Sequence, residues 1–75
     1  MIKFIAKEEQ LKEARGEKTQ EDMASLLRAV TGKRYQRSFY TQIESMGKKI
    51  NSDTALAIAK ILGVAVDLLF EKVEQ

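Results

Sequence analysis

The chain has 75 residues, 44% of them apolar and 32% charged, with no proline, cysteine or histidine. A chain of this length makes one domain, burying only about 60% of the surface its unfolded state exposes, and the lack of cysteine excludes disulfides and thiolate metal ligands. The net charge of +2 is unevenly spread: between positions 28 and 49, Arg28, Lys33, Arg34, Arg37, Lys48 and Lys49 face Glu44 alone, so that stretch carries +5 and the rest of the chain sums to −3.

Such an asymmetry orients a molecule in the field of a polyanion, although a solvated basic loop has the same composition. The first residues, "MIKFIAKEEQLKEAR", are charged from Lys3 onward without a long apolar core. They fit neither a secretory signal nor a membrane span, so a cytoplasmic protein is the expectation. Leu11 and Ala14 lie three apart on one face among charged neighbours, which predicts a first helix over about Lys7 to Arg15, ended by Gly16. Thr19 followed by Gln20, Glu21 and Asp22 is an N-terminal signature, with Asp22 at the capping-box position. A second helix starts there, carrying Met23, Leu27 and Val30 at helical spacing until Thr31 and Gly32. Phe39, Tyr40, Ile43 and Met46 describe a third, closed by Gly47. "NSD" then caps a fourth with an apolar face of Ala55, Ile58, Ala59 and Leu62, ended by Gly63. Asp67 opens a short fifth containing Leu68, Leu69 and Phe70. No strand pair is evident, so the expected fold is all-α: a compact five-helix bundle forming one domain.

Three segments, "TQEDMA", "QIESMGKK" and "ALAIAKILGVAVDLLF", resemble the Cro and lambda-repressor-like (XRE-like) helix-turn-helix family over about Leu11 to Phe70. Together they are a specific signal, whereas any one alone is a common amphipathic pattern. The resemblance implies a lambda-repressor-like bundle that places its third helix in the major groove of DNA. It makes Gln20 the glutamine that begins helix two and meets a phosphate, and Ala24 the small residue where the two motif helices cross. Glu44 becomes the glutamate that pairs with an arginine of helix one, here Arg15. The main departure is the turn: Thr19 to Glu44 spans twenty-six residues, with "RAVTGKRYQR" where the family has a short glycine turn. That spacing is similar to the POU-specific domain, an extended-turn relative, and places the start of the recognition helix near Gln36 or Arg37, with a start near Arg34 still open.

In this frame the base-reading residues are Gln36, Arg37, Ser38, Thr41 and Gln42. Arginine can bond guanine bidentately, glutamine can do so for adenine, and hydroxyls reach bases or phosphates. Gln20, Lys33, Arg34, Tyr35, Lys48 and Lys49 are the expected contacts to the DNA backbone, with Tyr35 alternatively part of the core. Phe39 is expected to pack sideways. Val66, Leu69, Phe70 and Val73 are candidates for a homodimer surface, or else the first three cover the monomer's own core. Glu9, Glu13 and Glu17 stand at four-residue spacing, yet no histidine or nucleophile accompanies them, so they read as a solvated face. Neither a metal nor a cofactor is implied, and no small-molecule substrate or membrane partner. The leading expectation is a DNA-binding regulator, a repressor of a phage, plasmid or mobile element. A protein-binding module on the same fold, such as an antitoxin or anti-repressor, is the alternative, and an enzyme is disfavoured.

Overall fold

The two ends of the chain pair with each other. In the computed structural model, which describes residues 1–74, Ile2–Ala6 (β1) and Phe70–Glu74 (β2) run antiparallel, with Ile2 opposite Glu74 and Ala6 opposite Phe70. The fold is therefore not all-α as the periodicity predicts, but five helices with a two-stranded antiparallel sheet. Two five-residue strands are marginal alone, and this pair persists because one face is covered. Phe4 and Phe70 point from that face into the core, 7% and 2% exposed. Phe4 also exchanges backbone hydrogen bonds with Ile50, its amide donating over 2.8 Å and its carbonyl accepting over 2.9 Å, which ties the N-terminus to the segment before the fourth helix.

Between the strands lie α1 (Glu8–Arg15), α2 (Gln20–Thr31), α3 (Arg37–Ser45), α4 (Ser52–Leu62) and α5 (Val66–Leu69). Local chemistry sets their ends. The Thr19 hydroxyl accepts from the Asp22 amide and the Asp22 carboxylate accepts from the Thr19 amide, both at 3.0 Å, a complete capping box. Gly32 then closes α2 at φ 72°, a left-handed conformation that glycine adopts without a Cβ penalty. Asn51 caps α4 by accepting from the Thr54 amide at 3.0 Å. The fifth helix stops one residue earlier than expected, because Phe70 turns extended and opens β2.

Leu11, Met23, Ala24, Leu27, Tyr40, Ile43, Ala55 and Ile58 form a fully buried centre shared by α1 to α4. Ala14, Phe39 and Leu62 pack half-buried against it, and two periodic positions are exposed. Val30 is 50% exposed near the end of α2, and Met46 is 72% exposed, because α3 ends at Ser45 and Met46 is already its cap. Among the described residues, no helix is long and apolar enough to cross a membrane.

Candidate nucleic-acid interface

α3 divides into two faces by the helical repeat. Tyr40, Ile43 and Glu44 turn inward, and that leaves Arg37, Ser38 and Gln42 exposed with Thr41 half-buried on the opposite side. Arg37, Ser38, Thr41, Gln42 and Met46 line a shallow open groove. Gln36 is exposed and forms the N-cap, and its side chain caps nothing. Met46 was not expected on this face. The signal lay in its spacing, since it follows Gln42 by four residues and so extends the same stripe.

The inner face is held by a polar network rather than by hydrocarbon alone. Glu44 is 1% exposed, and its carboxylate accepts from Arg15 Nε at 2.9 Å, Arg15 Nη2 at 3.2 Å, Gln20 Nε2 at 2.8 Å and the Tyr40 hydroxyl at 3.2 Å. These donors come from α1, α2 and α3, so a single carboxylate fixes three helices. The Thr41 hydroxyl donates to Gln20 Oε1, and Arg15 Nη1 donates to the Lys18 carbonyl at 2.7 Å. Gln20 thus uses its side chain within the protein, bridging α2 to α3. At the start of α2, where the dipole favours an anion, the Gln20 and Glu21 amides have no hydrogen-bond partner among the described residues. Beside them a second shallow groove is lined by Arg15, Lys18, Gln20 and Arg37 together with the acids Glu17 and Glu21.

Burial and the neighbouring Glu44 carboxylate push the Tyr40 hydroxyl pKa well above its usual 10.0. The folded state therefore keeps a proton that the unfolded chain releases above about pH 10, so this contribution to stability is intact below pH 10 and is lost as pH rises beyond it. Stability should fall with a slope approaching about 1.4 kcal/mol per pH unit from this group. Chemical denaturation of the parent and of Tyr40→Phe between pH 8 and about 11.5 measures it; equal slopes in the two proteins would refute the assignment.

Tyr35 departs from the backbone-contact expectation. It is 8% exposed, and its hydroxyl lies 3.1 Å from Thr54 Oγ1 at the start of α4. Its carbonyl accepts from Arg28 Nη1, and its ring packs on Phe39 with centroids 5.0 Å apart. An aromatic with a polar tip can sit inward once that tip finds a partner. The extended turn is consequently anchored to α2 and α4. Phe39 packs sideways as expected, and Lys48 Nζ sits 5.3 Å from the centre of its ring. Lys33, Arg34 and Lys49 are exposed, and Lys48 is half-buried. Of the dimer candidates, Leu69 and Phe70 are 1% and 2% exposed and belong to the core, so they offer no surface; Val66 and Val73 are half-buried.

Comparison with protein-family models, with curated proteins and with solved structures finds no match to this chain.

Proposed function

We propose that this chain is a sequence-specific, double-stranded DNA-binding transcriptional regulator of the repressor kind, working in the cytoplasm as a homodimer without a cofactor. The observation that carries this reading is the outward stripe of α3, where Arg37, Ser38, Thr41 and Gln42 stand on a helix whose inner face is locked by Glu44. A B-DNA major groove admits one α-helix, and arginine, glutamine and hydroxyl groups match the donors and acceptors on base edges. Lys33, Arg34 and Lys49 lie exposed in the segments before and after α3, where they neutralise phosphates and set the register without reading sequence. The free amides at the N-terminus of α2 supply a further phosphate contact. In this role Gln20 acts through its backbone amide while its side chain positions α3.

The likeness of "TQEDMA", "QIESMGKK" and "ALAIAKILGVAVDLLF" to lambda-repressor-like regulators supports the same assignment. Homodimerisation follows from arithmetic, because one short helix makes too few base contacts for useful selectivity and a two-fold operator doubles them. No catalytic role is included: the chain has no histidine or cysteine to act as base, nucleophile or thiolate.

Titration of short duplexes, including fragments flanking the coding region, tests the reading directly. Affinity should fall with salt by about 0.9 log units per decade for each phosphate contacted. Absence of a complex at low ionic strength, or a flat salt dependence, would reject DNA as the ligand and favour a protein-binding module on this fold.

A further inference from the structure

The buried carboxylate of Glu44 determines where the Thr41 hydroxyl proton goes. Its Oε1 accepts from Arg15 Nε and the Tyr40 hydroxyl, and its Oε2 accepts from Arg15 Nη2 and Gln20 Nε2, so both oxygens are fully engaged. An ionised carboxylate only accepts. The Gln20 atom 2.8 Å from Oε2 is therefore the amide nitrogen, and the amide oxygen turns toward α3. That oxygen also only accepts, so the Thr41 hydroxyl gives its single proton to Gln20 Oε1. One buried charge thus fixes, through the Gln20 amide, the hydrogen-bond polarity of a side chain on the outer stripe.

Thr41 is half-buried and lines the groove along α3 beside Arg37, Ser38, Gln42 and Met46. Its hydroxyl makes no other hydrogen bond among the described residues, and with the proton committed inward it has only lone pairs left to present. Its neighbours differ: Arg37 only donates, whereas the Ser38 hydroxyl and the Gln42 amide both donate and accept. Among the nitrogen and oxygen groups of this groove, Thr41 alone is restricted to accepting. The donors that a major groove offers to such a group are the N6 amino group of adenine and the N4 amino group of cytosine. Guanine O6 and N7 and thymine O4 would set lone pair against lone pair.

We infer that Thr41 is a specificity-determining residue that accepts a hydrogen bond from the amino group of an adenine or a cytosine, and that Gln20 is the positioning residue that makes it acceptor-only. This rests on the DNA reading proposed above and adds to it the chemistry of one contacted base.

The test uses a duplex selected from a random pool by the intact chain, altered at single bases in one half-site. Each adenine in turn is replaced by purine, which lacks the N6 amino group, and each cytosine by pyrimidin-2-one, which lacks the N4 amino group. At one position the deletion should weaken the parent about three- to tenfold more than it weakens Thr41→Val, the range expected for one hydrogen bond. The comparison cancels the cost of the weakened base pair, which both proteins meet equally. Thr41→Ser should behave like the parent. Gln20→Met removes the acceptor and frees the Thr41 proton. It should accept guanine for adenine, or uracil for cytosine, at that position within about twofold, and keep the parent's discrimination elsewhere. A merely structural role for Gln20 would relax every position together. Circular dichroism checks that each variant is folded. Equal responses of the parent and Thr41→Val to every amino deletion would overturn this inference and leave the DNA reading standing. So would a preference that Thr41→Val retains, which would belong to the threonine methyl, or a Gln20→Met protein that relaxes all positions or none. Absence of a complex with any duplex at low ionic strength would sink both.

Discussion

Glu44→Ala is expected to lower the unfolding free energy by about 3–5 kcal/mol, the usual cost of removing one partner from a buried ion pair. A domain of this size has roughly 4–11 kcal/mol in total, so the variant should melt at least about 15 °C below its parent or be partly unfolded at 25 °C. The cost is large because the carboxylate is 1% exposed and several donors converge on it. Without it the Arg15 guanidinium, whose side chain is only 19% exposed, and the buried Tyr40 hydroxyl lose their acceptor together. Removing both charges with Arg15→Met and Glu44→Leu should recover part of the loss, since well-packed hydrocarbon can replace a buried pair. By contrast, Lys12→Ala breaks a pair that is about half exposed on both sides and should leave the melting temperature nearly unchanged. Thermal melts of these variants decide the matter, and a Glu44→Ala protein melting within about 3 °C of the parent would show that the network does not hold the helices together.

That network was partly legible in the sequence. Thr19 and Asp22 announced the start of α2 through cap chemistry, and the apolar spacing within α3 placed Tyr40 and Ile43 inside. Those are local signals, repeated every turn or fixed by a few neighbouring residues. Arg15 and Glu44 could be paired only through the family resemblance, because no local rule links charges 29 positions apart. The strands were missed for a related reason. "IKFIA" and "FEKVE" are five residues each and neither alternates apolar with polar, so neither carries a period-two signal, and each needs the other from the opposite end of the chain. Tyr35 stays open between a DNA-backbone contact and the core at the sequence level, because its hydroxyl partner, Thr54, belongs to another helix; the structure selects the core. Met46 is the converse case. Its spacing after Ile43 fitted an apolar face, yet the helix ends before it and leaves it exposed beside Gln42.

Arg37→Ala should cost discrimination more than affinity. Arg37 is the first residue of α3, exposed, and lines both shallow grooves, the one at the start of α2 and the one along α3. A recognition helix reads bases chiefly with its N-terminal residues, and a bidentate arginine contact to guanine is worth about 1–3 kcal/mol, or about five- to 150-fold, at its base pair. With a preferred duplex selected from a random pool, the parent should reject a change at that pair by such a factor, and the variant should accept both sequences nearly alike. Gln42→Ala should relax a different position in the same manner. Lys49→Ala removes an exposed cation just beyond α3 and should weaken every duplex similarly while lowering the salt slope by about 1.8 for the dimer, about 0.9 from each subunit. The contrast matters more than either number, because loss of a phosphate contact is blind to sequence and loss of a base contact is not. If Arg37→Ala and Lys49→Ala produce the same uniform weakening with the same change of slope, Arg37 sits on the backbone and α3 does not lie in the groove.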